Sequence, residues 1–425
     1  MTTKPRTFSK ALGPGLLFAG AAVGVSHLVQ STRAGALFGL ALLFAVVLAN
    51  VFKYPAFQFG PRYAAATGRS LLEGYRRQGR WALVLYSLLT LGTMFFVQAA
   101  VVFTTAGLMK AVLPLAMSET LYALILTGIC AGLLVIGRYP LLDKITKVIV
   151  LVLTVATVLA TLVALPAVDW GGAWFPATSV WEDPDAILLI AGLIGWMPSA
   201  IDISVWHSLW TLARRQETGH APTPRESLLD FNIGYLGTAI LAVCFLLMGA
   251  AVMHNSGETF SPAAHKFAEQ IIQLYTRQLG EWSAPIIGIA ALGVMFSTTL
   301  TVIDGFPRAV AHLAARFRGP EPEGGDDANA PHMRMAYWIA LAVIGLGGLL
   351  IIEEFLSSLK ALVIVATVLS FMTSPVLALL NHRAMFGPDV PAPHRPSRGM
   401  WRFSVAGIVF LSVVATAFVY TLATK

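Results

Sequence analysis

Residues 189–200 read Leu-Ile-Ala-Gly-Leu-Ile-Gly-Trp-Met-Pro-Ser-Ala, an apolar helical pattern that runs into proline and small residues. Proline removes a backbone donor and interrupts the helix at the point where a membrane span should be most regular. Unwound backbone at membrane depth has no lipid partner for its N–H and C=O groups, so it persists only where protein encloses it. The stretch therefore predicts a membrane helix that is broken beside an enclosed cavity.

A second stretch near the start of the chain has the same pattern. Residues 17–27 read Leu-Phe-Ala-Gly-Ala-Ala-Val-Gly-Val-Ser-His, again inside an apolar segment long enough to cross a bilayer. Paired broken helices in the two halves of one chain are typical of secondary transporters, which bind their substrates between the breaks. The two stretches together predict a transporter with a central site.

The composition is that of a membrane protein. Hydrophobic residues make up 56% of the 425 residues and charged residues only 12%, with a mean hydropathy of +0.72, far from a soluble domain of this size. The sequence has no phosphate-binding glycine loop, nucleophile elbow or cysteine cluster. We therefore expect no enzymatic activity and no resident cofactor.

Apolar segments of about 20 residues predict eleven spans in an all-α polytopic protein whose single transmembrane domain covers residues 1–425. The predicted limits are 13–32, 36–57, 82–109, 119–136, 145–167, 186–213, 230–253, 283–304, 335–353, 358–381 and 401–422.

The basic residues predict the orientation of these spans. Of the 29 Lys and Arg residues, 23 are assigned to the N-terminal segment and the even-numbered loops, and six to the opposite side. The positive-inside rule then places the N-terminus in the cytoplasm and the C-terminus outside a bacterial-type inner (plasma) membrane. The net charge of +7 is thus a topology signal, so the expected partners are the lipid bilayer and a small ion or solute, with no nucleic acid. The oligomeric state has no signal in the sequence.

Several motifs carry a resemblance to a known family. Gly13-Pro14-Gly15, the run Ala-Gly-Ala-Leu-Phe-Gly at 34–39 and the run Ala-Thr-Gly-Arg-Ser-Leu at 66–71 resemble the Nramp family of divalent-metal transporters. Met197-Pro198 resembles the start of the Met-Pro-His motif of that family. The resemblance implies a LeuT-type fold, with two inverted five-helix repeats at about 13–167 and 186–381, discontinuous helices 1 and 6, and an eleventh helix at 401–422.

The chain departs from the family pattern at the positions that carry its chemistry. The metal-binding Asp-Pro-Gly-Asn motif of the first helix falls on residues 24–27, so that Gly24 replaces the acid and His27 the amide. Ser199 replaces the histidine of the Met-Pro-His motif, and the glutamine of the tenth helix falls on Thr367. The third helix, where the family places carboxylates for proton passage, has no acid over residues 93–101. The resemblance therefore implies the scaffold but leaves proton coupling open.

The candidate substrate site combines the two breaks with the remaining polar residues at membrane depth. Its predicted members are Gly24, Ser26, His27, Gly195, Met197, Ser199, Asp202 and Thr367. Asp202 follows Ser199 by three residues, a spacing that places both on one helix face. As the only carboxylate of this set, Asp202 is either a metal ligand or proton carrier, or a structural acid paired with a neighbouring group.

A tentative metal set within this site consists of His27, Met197 and Asp202. A neutral imidazole and a thioether together prefer Mn, Fe, Cu or Zn over Mg and Ca, and freed carbonyls near Gly24 and Gly195 would complete the shell. The alternatives are a histidine that bonds a neighbouring carbonyl and holds the break together, and a methionine that only packs.

Two functions follow from these residues. The first is secondary transport of a divalent transition-metal ion through a rebuilt site. The second is transport of a small organic or anionic solute on the same scaffold, because half-helix N-termini favour negative charge and the acid of the motif is replaced by Gly24. A non-transporting sensor or structural protein is a third, less favoured class.

Overall fold

A computed structural model describes residues 11–136, 139–254, 256, 258, 260–322, 330–355 and 358–424. Within these residues the chain is helical and contains no β-strand. The helices are α1 (Pro14–Ala22), α2 (Thr32–Phe38), α3 (Leu43–Thr67), α4 (Leu71–Gln78), α5 (Arg80–Val112), α6 (Glu119–Ile136), α7 (Tyr139–Ala164), α8 (Pro184–Trp196), α9 (Ile203–Thr218), α10 (Pro224–Val252), α11 (Ala264–Leu279), α12 (Ala284–Arg318), α13 (Pro331–Glu354), α14 (Leu359–Met385) and α15 (Arg398–Ala423).

Both predicted breaks are present. The first span consists of α1 and the helical segment 26–38, bent by 43°; it is interrupted at residues 23–25, the first-span break, and its segment Ser26–Ser31 is a π-helix. The sixth span consists of α8 and α9, separated by residues 197–202, the sixth-span break. Nine further helices of the described chain are long and apolar enough to cross a bilayer. Counting α8 and α9 as one broken span, these helices agree with the predicted eleven spans.

The predicted boundary between the first and second spans is wrong. The first span continues to Phe38 and the second begins only at Leu43, whereas the predicted limits ended the first span at 32 and opened the second at 36. The turn between them is at Gly39, whose φ of 57° is a left-handed conformation that glycine adopts at little cost. This glycine stops α2 before the second span starts.

The seventh span, α10, holds both halves of the broken first span by close backbone contact. An added Cβ at Gly234 would lie 2.1 Å from the carbonyl oxygen of Gly15, and one at Gly35 would lie 1.9 Å from that of Leu246. Small residues at such positions let membrane helices approach closely. The Asp230 carboxylate of α10 also accepts hydrogen bonds from the N–H groups of Gly13 (3.0 Å) and Gly15 (2.6 Å), which caps α1.

A polar cluster connects the short helix α4 to the segment after α12. The Ser70 N–H donates to Glu321 Oε2 at 2.7 Å, and the Glu321 N–H donates to Glu73 Oε2 at 3.0 Å. Burial alone would raise the pKa of Glu73, but hydrogen bonds from Arg76, Arg77 and the Glu321 backbone hold that pKa below its usual value. The ionised cluster thus connects the end of the second span to that of the eighth.

Candidate functional site

A cavity of about 40 Å³ lies between the two breaks and is called the central cavity here. Its polar lining consists of Ser26, Ser199, Asp202 and Thr298. The remaining walls are apolar or aromatic and include Ala21, Ala22, Val25, Val97, Val101, Trp196, Ala200, Ile203, Trp206, Val302 and Phe306. A water needs roughly 10–15 Å³, so the cavity has room for about three waters or one partly hydrated ion.

A neutral hydroxyl group, that of Thr298, satisfies the first-span break. Thr298 Oγ1 lies 2.8 Å from the carbonyl oxygen of Gly20 and 3.2 Å from that of Val23, and it also lies 3.1 Å from the carbonyl oxygen of Val294 in its own helix, so its single proton is divided among these acceptors. Ser26 Oγ lies 3.0 Å from the carbonyl oxygen of Ala22. An added Cβ at Gly24 would lie 2.9 Å from Thr298 Cγ2, so an acidic side chain does not fit here without displacing Thr298. Gly24 is outside the lining of the central cavity.

A charged group satisfies the sixth-span break. Lys53 of α3 is 0% exposed, and its Nζ donates to the carbonyl oxygens of Ile194 (3.1 Å), Gly195 (2.8 Å) and Ser199 (2.7 Å). Ile194 and Gly195 belong to the last turn of α8, whose carbonyls have no partner within the helix. The Gly195 carbonyl, predicted to be free for a ligand, is therefore occupied by the lysine.

Lys53 was not predicted as a site residue. It is one of the 23 basic residues assigned to the inner side, and this assignment is wrong because the side chain is buried within the bundle against α8. The predicted second span, 36–57, already enclosed it. An ionisable residue inside a span is a functional candidate by default, and this was the signal that could have found it.

His27 lies behind the cavity wall. Its ring is 0% exposed, with Nε2 at 3.0 Å from the carbonyl oxygen of Thr238 and Nδ1 at 2.8 Å from Ser26 Oγ. A carbonyl oxygen only accepts, so Nε2 carries a proton and Nδ1 faces the serine hydroxyl. Both nitrogens are thus engaged, as in the alternative in which this histidine holds the break together.

Of the three tentative metal ligands, only Asp202 lines the central cavity. Met197 is 0% exposed and outside the lining. Within the described part of the chain, no group of three or more His, Cys, Asp or Glu side chains is arranged to hold a metal ion. The structure therefore does not assemble His27, Met197 and Asp202 around one point of the cavity.

Asp202 is the carboxylate of the central cavity. It is 3% exposed, and its Oδ1 accepts a hydrogen bond from Thr90 Oγ1 of the third span at 2.9 Å. Ser199 and Asp202 both line the cavity, but they do not share a helix face, because α9 begins only at Ile203. The break itself brings the two residues together.

Gly195 and Thr367 position α8 against α14, outside the cavity lining. An added Cβ at Gly195 would lie 2.5 Å from the Thr367 carbonyl oxygen. Thr367 Oγ1 accepts a hydrogen bond from Gln30 Nε2 at 3.2 Å and donates to the carbonyl oxygen of Val363 at 2.7 Å. Of the eight predicted members of the site, the structure brings Ser26, Ser199 and Asp202 to the central cavity.

The two tryptophans of the cavity wall were also missed. Trp196 and Trp206 are 5% and 4% exposed, and the Nε1 of each has no hydrogen-bond partner in the structure. Buried indole N–H groups usually find an acceptor. Trp196 and Trp206 flank the sixth-span break in the sequence, and this position was the signal that could have identified them as site residues.

Comparisons with known proteins agree with this architecture. A family model described as natural resistance-associated macrophage protein-like (Nramp) matches residues 15–421. An uncharacterized protein of Pasteurella multocida (strain Pm70) is 35% identical over 412 residues, covering 96% of this chain and 92% of that protein. The divalent metal cation transporter MntH of Agrobacterium fabrum (strain C58 / ATCC 33970) is 24% identical over 444 residues, covering 96% of this chain and 87% of its own.

A solved structure gives the same result for the fold. The manganese transporter of Eremococcus coleocola, crystallised with an aromatic bis-isothiourea compound, superposes with a TM-score of 0.64 at 14% identity. The match covers 98% of this chain and 87% of the other. The likeness shows the fold alone, and it confirms the predicted LeuT-type arrangement with discontinuous helices 1 and 6.

Proposed function

The chain belongs to the Nramp family, whose model matches residues 15–421, and from this premise we propose that it is a secondary transporter of divalent metal ions. The MntH relatives are described as divalent metal cation transporters, and the Eremococcus coleocola structure is that of a manganese transporter. As a multi-pass membrane protein of such a family, the chain is a transporter and not an enzyme. Its inner-membrane location and the orientation of its termini stay predictions.

The observation that supports a cation substrate is the carboxylate of Asp202 in the central cavity. A divalent ion leaving water needs negative charge and oxygen ligands, and Asp202 is the acidic member of the lining. The hydroxyls of Ser26, Ser199 and Thr298 are further oxygen donors in the same wall. The Met197 sulfur is outside this lining, so the ligand set is that of a hard ion.

Such a ligand set narrows the choice of metal. Carboxylate, hydroxyl and water oxygens suit Mg²⁺, Ca²⁺ and Mn²⁺, whereas thioether and imidazole ligands favour softer ions. Because the central cavity is small, the bound ion keeps some of its hydration water. We propose Mn²⁺ as the substrate, bound by Asp202 at the interface of the repeats 13–167 and 186–381, with the helix at 401–422 outside both repeats.

The first test is metal uptake and binding by the Asp202→Asn variant. Proteoliposomes with the wild-type protein should take up Mn²⁺ under an imposed gradient. Asp202→Asn should weaken Mn²⁺ binding at least tenfold, ~1.4 kcal/mol or more, because the amide removes the charge and one ligating oxygen.

The matched control is Asp304→Asn. Asp304 is also a buried acid of a membrane span, but it pairs with Arg308 (2.8 Å) and accepts from Tyr337 Oη (2.9 Å) outside the cavity lining. The Asp304→Asn variant should therefore bind Mn²⁺ with the wild-type affinity per folded molecule. Equal losses in both variants, or Mn²⁺ binding that is indifferent to Asp202→Asn, would contradict the assignment.

One observation favours the second candidate function, transport of a small organic or anionic solute. The unpartnered Nε1 donors of Trp196 and Trp206 flank the cavity and require acceptors, which a carboxylate or carbonyl of a solute would supply. The same panel of uptake assays should therefore include small carboxylates. For an anionic substrate, Asp202→Asn should preserve or increase uptake, the opposite sign to that expected for a metal.

A further inference from the structure

We propose that Lys53 is a tethered cation that permanently occupies a cation site at the sixth-span break. The assignment rests on the hydrogen-bond geometry of its ammonium group and not on the identity of the transported substrate. It has two parts: the carbonyl cluster is a cation site by its chemistry, and the lysine fills it in place of a free monovalent ion.

The ammonium group has the partners that a bound cation would have. Its three N–H donors match three carbonyl oxygens, those of Ile194, Gly195 and Ser199, at 3.1, 2.8 and 2.7 Å. The Phe57 ring adds a fourth contact, with its centroid 5.5 Å from Nζ. Among the described residues, no carboxylate lies within ion-pair distance of Lys53. The charge is therefore stabilised by three backbone oxygens and one aromatic ring, without a carboxylate.

The position of the carbonyls explains why a positive charge is favoured there. Two of them end α8, where the aligned peptide dipoles place a partial negative charge. The third belongs to unwound backbone of the break. Half-helix C-termini and unwound carbonyls are the groups with which broken-helix transporters coordinate monovalent cations. The carbonyls of Ile194, Gly195 and Ser199 form this type of site, and the covalently attached ammonium of Lys53 is its cation.

The complete burial of Lys53 argues against a role in packing alone. Burying an ammonium group is costly unless each donor is bonded, and an apolar residue could fill the same space in an apolar helix without that cost. A charge is required only if the three carbonyls, left without a donor, would themselves be unsatisfied. The charge of Lys53 is therefore required by the carbonyls of the sixth-span break and not by its own helix, α3.

Two consequences follow for transport. The carbonyls of Ile194, Gly195 and Ser199 are not available to a transported metal, which agrees with the placement of the substrate at Asp202. A cycle that uses this structure also needs no free monovalent cation at the sixth-span break. Removing the ammonium should uncover a site that selects small monovalent cations.

The experiment measures melting temperature against the cation of the buffer, in detergent and at constant ionic strength. Wild-type protein, Lys53→Ala and Lys53→Met are compared in the chlorides of choline, sodium, potassium and ammonium. Wild-type protein should melt at one temperature in all four. Lys53→Ala should melt lower in choline and regain at least about 2 °C, in a saturable manner, in one or more of the small cations.

Lys53→Met should be lower in every salt and show no saturable response, because its apolar stem fills the space without a charge. The matched control is Lys110→Ala, which removes a lysine at the outer end of α5 that is 3.9 Å from Glu119; it should respond to cations as wild-type protein does. A saturable response shared by all variants would place the cation elsewhere and overturn the proposal, as would a Lys53→Ala protein indifferent to the cation.

A second variant keeps the test decisive if Lys53→Ala is not recovered folded. Lys53→Ser has one hydroxyl donor but no charge, and like Lys53→Ala it leaves the space of the ammonium open, so it should also melt higher in a small cation than in choline. Lys53→Arg keeps the charge and should be indifferent, as wild-type protein is. A Lys53→Ser protein that is indifferent overturns the tethered-cation assignment. Because no transport is measured, this outcome is independent of whether Mn²⁺ is the substrate.

Discussion

The two helix breaks occupy corresponding places in the sequence but are stabilised by different chemistry. At the first-span break, the side-chain donor to the freed carbonyls of Gly20 and Val23 is the hydroxyl of Thr298, because the single proton of Ser26 goes to His27 Nδ1. At the sixth-span break, the ammonium of Lys53 donates to three carbonyls. One hydroxyl group carries one proton and a lysine three, so a single ammonium can bond three carbonyls at once, whereas a hydroxyl divides one proton among its acceptors.

The lengths of the breaks account for this difference. After residues 23–25 the helical pattern resumes at once, because the N–H groups of His27 and Leu28 both bond the carbonyl of Gly24, at 3.1 and 2.9 Å. After Trp196 the chain is non-helical through residues 197–202, and the last carbonyls of α8 have no following N–H to accept from. The longer interruption therefore needs the stronger, charged donor, which also fixes α8 to α3.

The first prediction tests whether the two breaks differ in their packing, by adding a methyl group at the corresponding glycines Gly20 and Gly192. An added Cβ at Gly192 would lie 2.4 Å from Thr367 Oγ1 and 2.8 Å from Gln30 Nε2, where those two side chains bond each other. We expect Gly192→Ala to lower the free energy of unfolding by about 2–4 kcal/mol through overpacking and a lost hydrogen bond. Thermal melting of the purified protein measures the change.

Gly20→Ala is the matched variant at the other break. Its Cβ would meet only Ser297 Oγ, at 3.1 Å, and alanine improves helix propensity by about 1 kcal/mol. Its melting temperature should therefore stay close to that of the wild-type protein. Equal losses in the two variants would show that the packing around the breaks is not the source of their difference.

A second variant tests the neutral donor of the first-span break. Thr298→Val keeps the shape of the side chain but removes the proton that the carbonyls of Gly20 and Val23 share with that of Val294. Leaving buried carbonyls without a partner should cost about 1–3 kcal/mol in the free energy of unfolding.

The control is Thr104→Val, because Thr104 Oγ1 bonds only the carbonyl of Ala100 within its own helix, at 2.7 Å. That carbonyl keeps its helical partner, so the control should cost less than about 0.5 kcal/mol. If Thr298→Val were as mild as Thr104→Val, the hydroxyl would not be what satisfies this break.

The sequence predicted the breaks but not the groups that complete them. Proline, glycine and polar residues inside apolar runs mark interruptions by local chemistry, which is why residues 23–25 and 197–202 could be found. Their partners come from distant spans: Lys53 from the second, Thr90 from the third and Thr298 from the eighth. Such contacts span more than a hundred residues, and no local pattern encodes which spans become neighbours.

His27 shows how far local pattern can be taken. Its type and position fitted both a metal ligand and a residue that holds the break together. The choice depended on the ring's second partner, the carbonyl of Thr238, which lies 211 residues away. The family resemblance drew attention to this residue, but only the helix packing against α10 shows that its two nitrogens are engaged by Thr238 and Ser26.

The smallest expected effect concerns a second lysine on the same half-helix. Lys360 Nζ lies 2.5 Å from Asp185 Oδ2 in the first turn of α8, with the two side chains 43% and 63% exposed. This pair lies at the beginning of α8 in contact with solvent, whereas Lys53 lies at its end, fully buried. We expect Lys360→Ala to change the free energy of unfolding by about 0–1 kcal/mol, and most of that to disappear at high salt because exposed charges are screened.

A double-mutant cycle with Asp185→Ala, measured by melting at low and high ionic strength, isolates the pair. A coupling energy that persisted at high salt, or a loss as large as that of Lys53→Ala, would show that burial is not what makes the lysine of the break important.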